Sequence, residues 1–278
     1  MTEISYVADL MLSDLIGGGE LNDHELCRLL DKDFSVKRTY CHKLTEQDLD
    51  FNTFYIISNF IRLPRNVLNK ITDNCRYVIY EHDHKYVRNR DPSKFENYVA
   101  PDNQIVNLKF YQNAQSIFCQ SSFHAGILKR NLKIENVYNV SGNLWSDDSL
   151  ALMRKLSRKD KENSYSILNS TTKHKNTKNT IFYCEKKGFN YNLISSNNYE
   201  KFLDLLSNNQ KFIFLPQTPE TLSRVVVEAR MMGVKVITNK RVGACYEDWF
   251  KLKGEELIDH MTQKKQEVLQ KILELING

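Results

Sequence analysis

Apolar residues in this chain come in short runs separated by polar turns and by stretches where they recur at helical spacing. YVADLML near the start, and the apolar centres of DFNTFYIISNF, CRYVIYEHDH and AQSIFCQSS, each read as a buried strand, the last running into a helix. GGGE reads as a loop, LNDHELCRLL as the helix after it, and VYNVSGNLW closes the series. A second series has strands at SYSILNS, NYNLISS, KFIFLPQ and VKVIT, with short helices between. Residues 146–163 are polar, charged and helical in pattern and predict a connector. The tail EELIDHMTQKKQEVLQKILELI predicts a long amphipathic helix. Such alternation predicts an α/β protein with parallel sheets. A length of 278 residues suits two domains, expected at 1–148 and 149–278, the second carrying the tail helix. In such sheets ligands collect beyond the carboxyl ends of the strands.

Composition narrows this picture modestly. No stretch approaches the ~20 apolar residues of a membrane span, so no stable membrane insertion is expected. The N-terminus carries acids and no basic run with a cleavage site, which argues against a signal peptide. Cys27, Cys41, Cys75, Cys119, Cys184 and Cys245 are scattered without a CxxC pair, mostly in apolar surroundings. Reduced thiols, a cytoplasmic setting and no zinc site are the expectation. The net charge of +5 is mild and concentrates in RKLSRKDK (154–161) and KHKNTK (173–178). Either run is a solvated face or a contact with phosphates, of a nucleotide or of a nucleic-acid backbone.

Four loops at predicted strand ends carry candidate chemistry. In IGGGELN, glycines permit unusual backbone angles and close approach of a ligand, and their amides hold anions. In YEHDHKYVRNRDP, Glu81, His82, Asp83 and His84 crowd one strand end, as a polar substrate contact, a surface loop or a metal cluster; for the last no third ligand is evident. In STTKHKNT, lysines open a helix and reach toward any phosphate held at its N-terminus. The fourth is LPQTPETLSRVVVEARMMGVKVIT. Pro216 and Pro219 end a strand and stiffen a turn, and Leu222, Val225, Val226, Ala229 and Met232 recur at helical spacing until Gly233. Glu220 falls at the helix mouth, beside free backbone N–H groups. Glu228 follows two turns on, roughly 12 Å away at helical rise.

The pattern P-x-x-x-E-(x7)-E-A-R-M-M-G-V-K-V-I-T, in its strand–helix–strand setting, resembles retaining GT-B glycosyltransferases, family 4 in particular. GGGE, the EHDH strand end and AQSIFCQSSFH extend the resemblance over most of the chain. It implies two facing Rossmann-like domains and transfer of a sugar from a nucleotide-diphosphate-sugar, a UDP-sugar by default, with no other cofactor and no metal. It further implies that Glu220 contacts the donor sugar, Glu228 the ribose, and the amides of Thr221, Leu222 and Ser223 the sugar hydroxyls and phosphate. Gly18 and Gly19 would approach the diphosphate, and His82, with His84 as substitute, the sugar or acceptor. The acceptor side would be the first domain. A saccharide or lipid-linked glycan is the favoured acceptor, with contact to DNA carrying a modified base possible but not favoured.

The chain departs from the family where its second domain usually opens with Gly-Arg and continues to Lys-Gly. Asn169-Ser170 and Lys175-Asn176 stand there, leaving Lys175, assisted by Lys173, to neutralise the leaving diphosphate. A strand–helix unit before KFIFLPQ is also missing. A nucleotide-sugar epimerase and a non-catalytic nucleotide-sugar-binding protein are the alternatives.

Overall fold

The computed structural model describes residues 3–278, in two compact units: 3–144 with 264–278, and Trp145–Gln263. In the first unit, β1 (Ile4–Ala8), α1 (Gly18–Leu30), β2 (Val36–Tyr40), β3 (Phe54–Ile57), α2 (Arg65–Asn74), β4 (Arg76–Glu81), α3 (Leu108–Asn113), β5 (Ser116–Cys119), α4 (Ser122–Leu132) and β6 (Val137–Asn139) follow in order. All strand pairings are parallel, and the sheet order is β2-β1-β3-β4-β5-β6. Every residue of β1, β3 and β5 is buried, which is why these strands read as continuous apolar runs with both faces covered.

The second unit contains α5 (Asp147–Ser157), β7 (Glu162–Leu168), α6 (Thr177–Lys187), β8 (Tyr191–Ile194), α7 (Tyr199–Ser207), β9 (Asn209–Phe214), α8 (Arg224–Met231) and β10 (Lys235–Thr238). Its parallel sheet runs β10-β9-β7-β8. The last helix, α9 (Gly254–Asn277), buries Leu257, Ile258 and Met261 in the core of the second unit and Val268, Ile272 and Ile276 in that of the first.

Several expectations change here. The division after Leu144 precedes the expected boundary at 148, and the second half of α9 belongs to the first unit rather than to the second. GGGE is not a loop: Gly17 is the N-cap of α1, and Gly18 and Gly19 form its first turn, none of the three in the left-handed region. The helix after Pro219 starts only at Arg224, so helical rise does not measure the Glu220–Glu228 separation. The connector forms α5, capped by Ser146, whose hydroxyl accepts from the Ser149 N–H at 3.1 Å. Its basic run is engaged: Arg154 and Arg158 pair with Glu255 and Asp259, and Lys159 with Asp204.

Both sheets reverse strand order beside their first strand, at β1/β3 and at β7/β9. Chains leave those neighbouring strands in opposite directions, opening a crevice at the carboxyl ends. The loops leaving these strands are therefore where ligands are expected in each unit.

Candidate functional site

In the second unit the crevice is walled by the loop after β7 (169–176) and the loop after β9 (215–223). Asn176 adopts the left-handed conformation at the cap of α6 and fastens the two loops together. Its side-chain amide donates to the Leu215 carbonyl at 2.7 Å and its Oδ1 accepts from Gln217 Nε2 at 2.8 Å. The Gln217 N–H donates in turn to the His174 carbonyl at 2.9 Å. This bracing aims Lys175 at Glu220: Nζ stands 3.0 Å from Oε1 and 2.9 Å from Oε2. Lys175 also lies over the Phe214 ring. Glu220 is held from behind by a parallel bridge to Val242, its N–H donating to Arg241 and its carbonyl accepting from Gly243.

Beyond Glu220 the backbone turns sharply into α8. Ser223, its N-cap, has φ 72° and ψ 81°, in the positive-φ range that non-glycine residues seldom adopt. It is only 7% exposed, and its hydroxyl oxygen is buried without a hydrogen-bond partner among the described residues. The strain costs on the order of 1–3 kcal/mol, and a buried unsatisfied hydroxyl about as much again.

Glu228, one face of α8 further on, is 2% exposed. Its Oε1 accepts from Arg224 Nε at 2.7 Å, Trp145 Nε1 at 3.0 Å and the Tyr199 hydroxyl at 2.5 Å. The Arg224 guanidinium lies over the Trp145 and Tyr199 rings. These three partners, contributed from as far as 83 positions away in sequence, were not identified from the sequence. They fix the carboxylate through one oxygen and leave Oε2 outside these three bonds.

The first unit builds a second cluster on its own sheet ends. His82 follows β4 and is held at both ring nitrogens: Nε2 donates to Asp23 Oδ1 at 2.6 Å, and Nδ1 accepts from Gln120 Nε2 at 2.5 Å. Its ring stacks on Tyr80. Asp23, buried on α1, also accepts from the Tyr6 hydroxyl at 2.6 Å and Ser58 Oγ at 2.5 Å. Burial pushes its carboxyl up, but the His82 ring and the hydrogen bonds from His82, Ser58 and Tyr6 together hold it below the usual carboxylate range. His84 points elsewhere, bonding Tyr86 through Nδ1 at 2.9 Å and standing edge-on to His124. Glu81 and Lys85 form a buried ion pair, with Tyr111 donating to Glu81. Among the described residues no group of three or more His, Cys, Asp or Glu side chains is placed to hold a metal ion, and no helix is long and apolar enough to cross a membrane.

Of the residues singled out in the sequence, the structure joins Lys175, Glu220, Thr221, Leu222, Ser223 and Glu228 at the carboxyl edge of the second sheet. Gly18, Gly19 and His82 lie at that of the first. Asp23, Gln120, Arg224, Trp145 and Tyr199 are additions.

No protein-family model matches the chain, and no curated protein matches it in sequence. Solved structures do share its fold. The Anabaena protein HepE, in complex with UDP and glucose, superposes with a TM-score of 0.60 at 12% identity, over 98% of this chain and 99% of that one. An alpha-glucosyltransferase in complex with UDP and a 13-mer DNA containing a HMU base gives 0.54 at 12% identity, over 99% of each chain. A glycosyltransferase from Rickettsia africae gives 0.53 at 14% identity, over 99% of this chain and 97% of that one. The likeness establishes the fold, that of GT-B glycosyltransferases.

Proposed function

We propose that this chain is a retaining glycosyltransferase of the family 4 type, moving a sugar from a nucleotide-diphosphate-sugar to an acceptor hydroxyl. The observation that carries the reading is Ser223: a strained, buried serine with an unpaired hydroxyl, at the mouth of a helix, next to a lysine–glutamate pair. Strain and desolvation at one residue are offset when a ligand supplies the missing partner. A helix N-terminus beside a lysine selects an anion, and a diphosphate fits that demand. UDP is the preferred nucleotide because HepE and the DNA-bound alpha-glucosyltransferase were both solved with it.

In this mechanism the amides of Thr221, Leu222 and Ser223 and the cation of Lys175 take up charge as the diphosphate departs. Glu228 Oε2 accepts from the ribose hydroxyls while Oε1 stays fixed by Arg224, Trp145 and Tyr199. A bound diphosphate competes for Lys175, which releases Glu220 toward the donor sugar. The acceptor oxygen attacks the same face from which the phosphate leaves, and the phosphate takes its proton. No protein nucleophile and no metal take part. His82, with both ring nitrogens committed to Asp23 and Gln120, acts as a fixed polar wall for a substrate rather than as a proton carrier.

A saccharide or lipid-linked glycan is the favoured acceptor. A modified DNA base is the second reading, supported by the alpha-glucosyltransferase solved with DNA and opposed by the pairing of Arg154, Arg158 and Lys159 within the second unit. The test is incubation with UDP-glucose in excess EDTA, followed by NMR of the products against a panel of saccharide, lipid-linked and modified-duplex acceptors. UDP release with an α-linked product supports the reading. An inverted product removes retention, an isomerised donor indicates an epimerase, and UDP binding without turnover indicates a binding protein.

A further inference from the structure

The first turn of α1 carries a carboxylate to which the mechanism above gives no role. Glu20 is only 9% exposed, and no side chain among the described residues donates a hydrogen bond to it. It folds back over the helix cap, where a Cβ on Gly17 would collide with Glu20 Oε2. Gly17 itself has φ −119° and ψ 166°, which any residue adopts, so the glycine makes room for the carboxylate and does not serve the backbone. Gly19 differs: a Cβ there would stand 3.4 Å from His82 Cγ and 3.5 Å from Cδ2, an ordinary contact that leaves the ring in place. Gly17 thus admits the Glu20 carboxylate at the carboxyl edge of the first sheet, the edge at which His82 also lies.

Burial raises the Glu20 carboxyl above its ordinary range; its own backbone N–H and the His82 ring oppose that rise, and Asp23 adds to it. A desolvated carboxylate with unused lone pairs is costly unless a donor reaches it. The positive end of α1 disfavours a cation as that donor. A neutral hydroxyl remains.

We propose that Glu20 binds a carbohydrate hydroxyl beside the fixed His82 ring, and that Gly17 is a glycine to let it do so. The inference rests on the glycosyltransferase reading, and the sugar is that of the donor or that of the acceptor. Calorimetry on the full chain separates these sources, using UDP, UDP-glucose, and glucose added to UDP-saturated protein. The variants are Glu20→Ala, Glu20→Gln and Gly17→Ala, the last displacing the carboxylate without altering it, with circular dichroism to confirm folding. UDP affinity is expected to stay within about twofold of wild type throughout. If the sugar is the acceptor's, glucose binds at least about tenfold more weakly to Glu20→Ala and Gly17→Ala. If it is the donor's, UDP-glucose shows that loss instead, and Glu20→Gln recovers part of it in either case. Unchanged sugar binding in both arms, no sugar contribution in the wild type, or a parallel loss of UDP overturns the assignment of Glu20. A wild type that binds no UDP overturns the transferase reading, and this inference with it.

Discussion

Lys175 and Glu220 are bound to each other: one ammonium lies within 3.0 Å of both oxygens of one carboxylate, on loops that leave the two strands at which the second sheet reverses its order. The pair stores a cation and an anion side by side where a charged donor would need them apart. Lys175→Ala should therefore weaken UDP by about 1.5–3 kcal/mol, the range for a charged hydrogen bond. Glu220→Gln frees the lysine and should leave UDP affinity unchanged or slightly tighter, while turnover falls by about 100-fold or more. Calorimetry and donor-cleavage rates decide. Equal weakening of UDP by both substitutions would show a pair that only holds two loops together.

Glu228 calls for a different substitution. Removing its carboxylate takes the anion from beside the buried Arg224 guanidinium, and breaking a buried pair in this way costs about 3–5 kcal/mol. Glu228→Ala should thus lower the melting temperature enough to obscure any effect on nucleotide. Glu228→Gln keeps an oxygen for Arg224, Trp145 and Tyr199 and puts an amide where Oε2 was. That variant should fold and bind UDP at least about tenfold more weakly, because an N–H₂ accepts nothing from a ribose hydroxyl. UDP affinity equal to wild type would assign Glu228 to the support of Arg224 alone.

The difference between these glutamates bears on what was legible in the sequence. Strands such as FYII and FIF are buried on both faces, so their apolar runs announced them, whereas β2, VKRTY, forms the sheet edge with Lys37 and Arg38 exposed and carries no such run. Proline and glycine marked the turn before α8 and its end, which located Glu220 and Glu228. Their partners were hidden because tertiary hydrogen bonds have no period. Asp23 lies in LNDHELCRLL like any surface acid, yet its partners Tyr6, Ser58 and His82 arrive from the middle of β1 and from the ends of β3 and β4. The glycine triplet was read for backbone freedom, which it does not use; at Gly17 the cause is steric and depends on Glu20, visible only once the helix is built.

Ser223 separates strain from contact. Ser223→Gly relieves the left-handed backbone and should stabilise the free protein by about 1 kcal/mol. Ser223→Ala keeps the backbone strain but removes the unsatisfied hydroxyl, and should also leave the free protein no less stable. With saturating UDP both variants should gain less in melting temperature than wild type. Equal UDP-induced shifts in all three proteins would mean that the hydroxyl meets no ligand and the conformation is a feature of the turn.

His124 should make the first unit sensitive to mild acid. It is fully buried on α4, where Nδ1 accepts from the Gln120 N–H at 3.3 Å and Nε2 donates to the Asp83 carbonyl at 3.0 Å. That arrangement suits the neutral ring, and burial, followed by the neighbouring His84, depresses its pKa well below the ordinary histidine value. The sign follows from proton uptake. Below about pH 6.5 the unfolded chain binds a proton that the folded chain refuses, so the contribution is complete above that pH and declines as the solution is acidified. The slope is at most about 1.4 kcal/mol per pH unit, continuing until the folded ring itself protonates. Both tryptophans lie in the second unit, so fluorescence would miss the effect. Amide exchange in α4, measured between pH 7.5 and 5 and corrected for intrinsic rates, reports it directly. Wild type should lose protection as pH falls, and His124→Gln, which cannot take up a proton, should start less stable and lose protection with a shallower slope. Parallel slopes would mean that this ring titrates alike in folded and unfolded chains, and that the acid sensitivity of the unit lies in its buried carboxylates.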